Sequence, residues 1–561
     1  MKTLNRKVYW HAALWIAVSF IADGCAKFPT REFEADKPET MIAQETIDAL
    51  PTLKSVIGKT TDPGFRLGVL VPANDYLNYG LISDVANRNF NELVLETEMK
   101  HGSVVQADGK LNLSGVQAFI SYAAQKKMLV YGQPLTTHTG QNAIYLNDLI
   151  KGASGVTKID FESDAVGKIY PMTGNSTSTV ESDPKGSGSK VIHVGNAVTP
   201  ANQSFPKIPV TLPDGIKLGN CSQVVLDILA PGTGGLYGSG MRMGINDRAF
   251  TVYGSPSGFG AQDGSWLTGG KVILPIANMN LTPVEKELTS FTLVVGSGTG
   301  AGNYYMDNII ISWNAEKSAA DKNTIITGEL NRFIAGVVDS CKSVIKTWEV
   351  VKDPMDDANP AQLKTGVGKS VGTNDFYWQD YMGYNYAVKA FQFAKQHAGS
   401  DAKLFISDYG LESNLAKCRG LIGYVQNIES QGAAVDGIST QMHISVSTDK
   451  GSIAEHFTLL AATGKLIRIS ELYVGLDGVT TSAATQAQLQ EQAEMYRYVV
   501  EKYFELIPVM QRFGITIWSP QDRASGSAWL PNQPLGLWNG QWIRKSSYKA
   551  VAEAFAAKAG Q

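Results

Sequence analysis

Acidic side chains stand directly after two apolar runs that read as buried strands. Glu471 follows the run at residues 466–470, and the segment Trp348-Glu349-Val350-Val351-Lys352-Asp353 ends the run that begins at residue 345. Two carboxylates about 5 to 5.5 Å apart perform retaining glycoside hydrolysis, in which one attacks the anomeric carbon and the other protonates the leaving oxygen. The sequence makes Glu471 the candidate nucleophile of such a pair.

Polar and aromatic residues at neighbouring strand ends fit the same chemistry. Gln441 and His443 alternate along one predicted strand, so their side chains should point the same way. We expect His443 to orient the Glu471 carboxylate by a hydrogen bond. Trp518 and Trp529 offer flat apolar faces on which sugar rings could stack.

A barrel of parallel strands is the architecture that brings such strand ends to one rim. Short apolar runs alternate with amphipathic segments of helical period, which is the pattern of buried parallel strands joined by helices. Three runs precede residue 150 and five follow residue 320, which makes eight. The sequence therefore predicts an α/β fold, a (β/α)8 TIM barrel formed by residues 61–150 and 320–561.

The block at residues 151–319 differs from the rest of the chain in composition and in its pattern of apolar residues. It is rich in Gly, Ser, Thr and Asn and contains repeated short strand patterns separated by turn signals. This pattern predicts an antiparallel β-sandwich of jelly-roll type, inserted after the third barrel strand. Such an insertion costs little because the loop lies outside the barrel core, and loop-closure entropy grows slowly with length.

The residues at the strand ends also follow a known order of motifs. They resemble E-N-x-M-K, G-H-x-L-x-W-H, W-D-V-V-N-E, N-D-Y, Q-x-H, T-E-L-D, W-G-x-x-D and K-P-x-Y of glycoside hydrolase family 10, the endo-β-1,4-xylanase family. The resemblance implies a retaining hydrolase of β-1,4-xylan or a related plant polysaccharide that needs no cofactor for catalysis. It adds Glu96, Lys100 and His138 to the substrate-binding residues. The matching positions are Glu96, Met99, Lys100, Leu135, His138, Trp348, Val350, Val351, Asp408, Tyr409, Gln441, His443, Glu471, Leu472, Trp518, Asp522, Lys545 and Tyr548.

The departures from the family pattern concentrate where the bond would be cleaved. The acid/base Glu is Asp353 here, its neighbouring Asn is Lys352, and the His and Trp of G-H-x-L-x-W-H are Gln133 and Thr137. Asp reaches about 1.5 Å less far than Glu, and a positioned acid/base contributes roughly 10² to 10⁴ in rate. Lys352 adds a cation for which Asp353 or Glu471 is a candidate partner.

Two functions follow from these residues. In the first, the protein is a family 10 hydrolase of weak or altered activity that uses Asp353 or a nearby acid, Asp356 or Asp357. In the second, it is a pseudoenzyme that binds xylan or a related β-glycan at the bacterial surface. Retention of Glu471 favours the first function, and the change at Lys352 favours the second.

The predicted sandwich resembles a carbohydrate-binding module. Modules of this kind often hold a structural Ca²⁺ through oxygen ligands, which makes Asp160, Glu162 and Asp307 candidate ligands. Ion pairing at the surface is the alternative use of these carboxylates. A purely structural insert that spaces the barrel from a membrane is the competing function for the whole module.

The first residues predict secretion and a lipid anchor. Lys2, Arg6 and Lys7 precede the apolar run at residues 8–22, which ends at small residues and Cys25. This layout is that of a signal peptide, residues 1–25, whose cysteine becomes the lipidated first residue of a bacterial lipoprotein. Ordinary signal cleavage, with Cys25 as a bystander, is the alternative.

The composition of the remaining chain agrees with a surface protein that acts on a glycan. Residues 26–60 read as a linker, and the predicted location is the bacterial outer membrane or cell surface. The formal net charge of -3 provides no excess of positive charge of the kind that binds nucleic acid. The resemblance to family 10 implies β-1,4-xylan or a related polysaccharide as a partner, and the lipid anchor implies the membrane as another.

Overall fold

A computed structural model describes residues 37–58, 64–78, 80–95, 97–132, 134–195, 205–229, 236–237, 241–246, 248, 251–252, 260–261, 264–297, 304–523 and 530–558. Cys25 and the predicted signal peptide lie outside these residues. Among the helices of the described ranges, none combines the length and the apolar character needed to cross a membrane.

Three short parallel strands open the first part of the fold. Their residues are almost all buried, as expected for strands covered by helices on one side and packed inside a barrel on the other. These strands are β1 (Arg66–Leu70), β2 (Glu92–Val94) and β3 (Leu129–Gly132).

Twelve described strands follow before the next barrel strand. They form one sheet in the order β13-β8-β15-β6-β5, in which β4 also pairs with β15, a second sheet in the order β11-β10-β14-β7, and a small sheet of β12 and β9. They are β4 (Ala153–Ile159), β5 (Thr177–Ser182), β6 (Lys190–Gly195), β7 (Lys207–Thr211), β8 (Cys221–Leu229), β9 (Leu236–Tyr237), β10 (Met241–Ile245), β11 (Thr251–Val252), β12 (Gly260–Ala261), β13 (Trp266–Pro275), β14 (Ser290–Ser297) and β15 (Tyr304–Ala315).

One hydrophobic core lies between the two larger sheets of this block. Alternate residues of β8 and β14 point into it, among them Val224, Leu226, Leu293 and Val295. The alternation of buried and half-exposed residues along β8 is typical of a sheet that buries one face. The block enters and leaves the barrel through a paired stem, because β4 and β15 are antiparallel from Ala153↔Ala315 to Ile159↔Ile309.

The remaining strands complete the barrel. The parallel order β18-β17-β16-β3-β2-β1-β21-β20 closes through a further pairing of β18 with β20, while β19 extends the edge beside β20. The predicted (β/α)8 barrel with an antiparallel sandwich after its third strand is therefore confirmed. The strands are β16 (Thr347–Lys352), β17 (Lys403–Asp408), β18 (Gly437–Thr440), β19 (His443–Ser445), β20 (Leu466–Gly475) and β21 (Arg512–Ile517).

Helices connect the barrel strands and cover them. The described helices are α1 (Glu39–Asp48), α2 (Leu53–Ile57), α3 (Ala73–Leu77), α4 (Leu81–Asn89), α5 (His101–Val104), α6 (Ser114–Gln125), α7 (Ala143–Ile150), α8 (Pro283–Lys286), α9 (Ala319–Cys341), α10 (Trp378–Met382), α11 (Tyr386–Ala398), α12 (Leu415–Ser430), α13 (Lys450–Ala461), α14 (Gln486–Leu506) and α15 (Ser546–Ala557).

The chain divides into two compact units. One comprises the described residues within Met1–Leu70, Asn78–Leu93 and Thr440–Gln561, and the other comprises Val71–Leu77 and Val94–Ser439. In the first unit, the completely buried Arg468 forms an ion pair with the equally buried Glu92. Gly68 lies beside this pair, because a Cβ atom there would be only 3.2 Å from a guanidinium nitrogen of Arg468 and 3.3 Å from Glu92 Oε2. The interior of this unit is therefore partly ionic.

The second half of the predicted linker at residues 26–60 contains two helices, α1 and α2. Helix α2 buries Leu53, Val56 and Ile57, and Arg544 donates hydrogen bonds to the backbone carbonyls of Ile47, Asp48 and Leu50 at the end of α1. A five-residue helix carries too little periodic pattern to stand out from a polar, Pro-containing stretch. Only the packing in the folded structure shows that the apolar residues of this helix are buried.

Candidate active site

Glu471 and His443 are in contact in the first unit. Glu471 lies in β20 with its side chain 2% exposed, and its Oε2 atom is 3.0 Å from Nε2 of His443. The backbone N–H of Glu471 donates to the carbonyl of Gln441 at 3.2 Å. The structure therefore brings together the three residues that the sequence grouped around the nucleophile.

The path of the chain from Gln441 to His443 differs from the prediction. A single strand was expected, but β18 ends at Thr440 and β19 begins at His443. Met442 between them has a φ of 61°, in the left-handed region that a residue with a side chain rarely adopts. Such backbone conformations concentrate at functional sites, where the surrounding structure holds them.

Tyr473 is a residue of this site that the sequence analysis missed. Its ring stacks on the His443 imidazole, with centroids 4.8 Å apart and planes inclined by 22°. The predicted strand stopped at Ser470, whereas β20 continues to Gly475. The family motif T-E-L-D reads Ser470-Glu471-Leu472-Tyr473 here, so an aromatic ring stands where the family has an acid.

Trp518 lies near His443 and is largely buried. Its ring centroid is 6.5 Å from that of His443, and only 9% of the residue is exposed. Little of the indole is therefore left for the sugar stacking that the sequence predicts. Trp529, the second predicted stacking residue, lies outside the described residues, as do Glu96 and Gln133.

Asp353, in the second unit, directly follows the end of β16. Its φ is 57°, and its backbone N–H donates to the carbonyl of Ser407 at 2.9 Å. Asp is among the few residues with a side chain that tolerate this left-handed conformation. The local backbone therefore suits the residue that replaces the family Glu.

Lys352 approaches a buried carboxylate. A register shift between Glu349 and Val351 interrupts the regular alternation of β16, and Lys352 Nζ lies 4.0 Å from Glu349 Oε2. The Glu349 side chain is completely buried, and that of Lys352 is 12% exposed. Glu349 is thus a partner of Lys352 besides Asp353 and Glu471, the two candidates that the sequence predicts.

Asp408 is a buried anchor for the loop that follows Asp353. Its carboxylate accepts backbone N–H bonds from Met355 and Tyr409 and lies 2.9 Å from Lys417 Nζ. Burial raises the pKa of Asp408 to about 6, although the charge of Lys417 acts in the opposite direction. The position of Asp408 in the interior suits a structural role for this carboxyl group.

The two other acids proposed as proton donors are held in their ionised form. Backbone N–H groups of Asn359 and Ala358 and the ammonium of Lys369 lower the pKa of Asp356. Burial opposes ionisation of Asp357, but hydrogen bonds from Lys417 and Tyr409 outweigh it and lower its pKa as well. A carboxyl group that stays ionised cannot protonate a leaving oxygen efficiently.

A cavity of about 550 Å³ opens beside these loops. His138 lies in its wall and stacks on Tyr377, with centroids 5.2 Å apart. Lys100, the other described substrate-binding candidate, passes its side chain over Gly140, near His138. The cavity is lined by His138, Asp356, Asp357, Ala358, Asn359, Gln362, Leu363, Lys364, Thr365, Lys369, Tyr377 and Tyr409.

The three calcium candidates in the sandwich have protein partners. Asp160 lies 3.3 Å from Lys158 Nζ, and Glu162 accepts the backbone N–H of Lys190. Burial raises the pKa of Asp307 to about 6. Among the described residues, no three His, Cys, Asp or Glu side chains are grouped in a way that could hold a metal ion. Calcium binding therefore stays a prediction.

Comparisons with known proteins agree with this architecture. The chain is 30% identical over 272 residues to endo-1,4-beta-xylanase A of Cellvibrio japonicus (strain Ueda107), which covers 44% of this chain and 43% of that protein. It is 29% identical over 242 residues to endo-1,4-beta-xylanase 2 of Aureobasidium pullulans, covering 41% of this chain and 62% of that protein. The matches thus span less than two thirds of either relative.

Solved structures share the fold. Xylanase B from Clostridium stercorarium F9 superposes with a TM-score of 0.52 at 14% identity, covering 90% of this chain and 100% of that one. The family 10 structure from Paenibacillus barcinonensis gives a TM-score of 0.53 at 16% identity, covering 90% and 97%. The model for glycosyl hydrolase family 10 matches residues 57–160 and 306–554, which is more than half of the chain and leaves most of the sandwich, residues 161–305, unmatched. The chain belongs to glycosyl hydrolase family 10.

Proposed function

We propose that this protein is a retaining β-1,4-glycan hydrolase of low turnover that acts on xylan or a related plant polysaccharide. The contact between His443 and Glu471 carries the proposal, because a carboxylate oriented by an imidazole is the nucleophilic half of such a site. The substrate class rests on the two relatives described above, both named as endo-1,4-beta-xylanases.

The first unit supplies the nucleophile of the first step and the imidazole that orients it. In the tautomer with its proton on Nε2, His443 donates to Oε2 of Glu471, and the other carboxylate oxygen can attack the anomeric carbon. The glycosidic C–O bond breaks as the ester to Glu471 forms. Water then hydrolyses this ester and restores the carboxylate.

Asp353 is the proposed acid and base of the cycle. It gives its proton to the leaving oxygen in the first step and takes one from the attacking water in the second. Its side chain is one methylene shorter than that of Glu, which costs about 1.5 Å of reach at a step where a misplacement of that size matters. Because Asp356 and Asp357 are held ionised, they are poor substitutes, and slow turnover is the expected consequence.

Binding of a β-glycan without hydrolysis is the second candidate function. The 4.0 Å approach of Lys352 to buried Glu349 favours it, because an ammonium group replaces the neutral amide of the family at that position. In this case the protein would hold a polysaccharide at the bacterial surface through its barrel, its sandwich or both.

The cellular location of the protein and the role of its sandwich complete the proposal. We place the protein at the bacterial outer membrane or cell surface, anchored by lipid on Cys25. The sandwich would serve as a carbohydrate-binding module beside the barrel. These assignments rest on the sequence patterns of the first 25 residues and of residues 151–319.

Product formation distinguishes the two functions. Arabinoxylan and other β-1,4-glycans are incubated with the full chain at high enzyme concentration, beside a Glu471→Ala control. Release of oligosaccharides by the wild type but not by the control supports hydrolysis. Binding of the glycan with no products above the control level supports the second function and overturns the first.

A further inference from the structure

The charged groups in the wall of the 550 Å³ cavity neutralise one another. Asp356 lies 3.4 Å from Lys369. Asp357 lies 4.0 Å from Lys364 and accepts a hydrogen bond from Lys417, behind the wall, at 2.7 Å. A charged guest would therefore have to compete with ion pairs that are already formed, and desolvating it there would cost free energy without a compensating partner.

Besides the phenols of Tyr377 and Tyr409, the remaining ionisable group of the wall is His138. Burial lowers the pKa of His138, and the nearby charge of Lys364 lowers it further, although neighbouring carboxylates act in the opposite direction. The imidazole is therefore uncharged at neutral pH. With two aspartates facing two lysines and an uncharged imidazole, the cavity suits a neutral ligand that offers hydroxyl groups for hydrogen bonds.

The cavity contains two tyrosines in different environments. The Tyr409 ring is covered by cations, since Lys417 Nζ and Lys364 Nζ lie 3.6 and 4.3 Å from its centroid. Its hydroxyl donates to Asp357. The partly exposed Tyr377 ring instead stacks on His138, which fixes the plane of the phenol. A rigid aromatic face of this kind binds the apolar face of a flat ligand at low entropic cost.

We infer that Tyr377 is the stacking platform of a subsite for a neutral pyranose unit of a β-glycan. A xylose unit has an apolar ring face for the phenol and hydroxyl groups for the polar wall. The inference rests on the proposed glycan-binding function and adds a selectivity to it: units without a carboxylate bind this cavity better than units that carry glucuronic acid. Tyr377 thereby supplies an aromatic ring beside His138, the residue that follows Thr137, where the family has Trp.

Calorimetry with xylotetraose tests the assignment. The full chain carries Glu471→Gln so that the ligand is not cleaved, and hydrogen exchange by mass spectrometry follows residues 354–369 at the cavity wall. Tyr377→Ala should weaken binding about tenfold and remove the protection of this segment, because one central aromatic contact is lost. Tyr377→Phe keeps the ring and should retain both. Tyr384→Ala, which removes an exposed tyrosine outside the cavity lining, is the matched control.

The possible results separate this inference from the proposed function. Unchanged affinity in Tyr377→Ala, or protection confined to residues 153–315, would overturn the cavity assignment and leave glycan binding intact. Tighter binding of a glucuronic acid-substituted oligosaccharide through residues 354–369 would overturn the selectivity. If the chain binds no xylo-oligosaccharide, the inference and the proposed function fail together.

Discussion

The Lys417 ammonium lies 2.9 Å from Oδ1 of Asp408, and the two side chains are 2% and 0% exposed. The same ammonium lies 2.7 Å from Asp357, so a single cation joins β17 to the loop after β16. Because Asp408 also accepts the N–H of Met355, this cluster positions the residues directly after Asp353. The geometry of the candidate acid therefore depends on a lysine of helix α12.

Replacing Lys417 should destabilise this part of the barrel. Lys417→Met leaves the buried Asp408 carboxylate without its cation, and we expect a loss of about 3 to 5 kcal/mol in the free energy of unfolding, measured by urea denaturation. Lys403→Met is the control, since Lys403 forms a partly exposed pair with Asp436 and should cost less than about 1 kcal/mol. Equal effects of the two substitutions would show that the buried cluster contributes no more than a surface pair.

Repairing the acid side of the site should raise activity. Lys352→Asn combined with Asp353→Glu restores the family pair, and xylan hydrolysis should rise at least about tenfold, since a well-placed acid/base contributes roughly 10² to 10⁴. Adding Glu471→Ala should abolish the gain, while glycan affinity measured by calorimetry should change little. No gain in turnover, with undiminished binding, would favour the surface-binding function.

Acid should destabilise the fold through His456. Burial lowers the pKa of this completely buried residue to about 3, from an unfolded value near 6.5. Below pH 6.5 the unfolded chain binds a proton that the folded chain does not, so stability falls as pH falls toward 3. Between pH 7 and pH 4.5 the contribution is about 2.5 kcal/mol.

The variant His456→Gln isolates this effect. Gln does not titrate in this range, so its urea midpoint should change less between pH 7 and pH 4.5 than that of the wild type. The difference between the two proteins removes the contributions of other titrating groups. An identical pH dependence would mean that His456 is not the group responsible.

Excising the sandwich should leave a folded barrel. Ala153 and Ala315 are cross-strand partners at the base of the β4–β15 stem, so a short Gly/Ser linker can replace residues 154–314 without stretching the chain. Circular dichroism and a cooperative thermal transition would report the fold of the remaining protein. A product that unfolds without cooperativity would show that the barrel requires its insert.

A Cys25→Ser variant should move the protein from the membrane to the soluble fraction. Lipid attachment needs the thiol, and several acyl chains anchor a protein stably. Detergent phase separation of both proteins measures the change. Partitioning of the wild type into the aqueous phase would contradict the lipid anchor.

The sequence by itself determined the class and order of the fold. Buried parallel strands read as continuous apolar runs, whereas the sandwich strands alternate between buried and exposed residues, so the change of architecture after β3 is visible along the chain. Glu471 is likewise identified because it directly follows a recognisable apolar run, and His443 because it lies near the end of another. These signals are local, and local signals survive in a single sequence.

Only the tertiary structure decided which partners these side chains meet. The stacking of Tyr473 on His443 depends on the extension of β20 beyond Ser470, and that of Tyr377 on His138 joins residues far apart in the chain. The approach of Lys352 to Glu349 depends on a register shift in β16 that the pattern of apolar and polar residues does not indicate. Contacts of this kind are set by how strands and loops pack against one another, and a one-dimensional pattern of apolar and polar residues does not encode that packing.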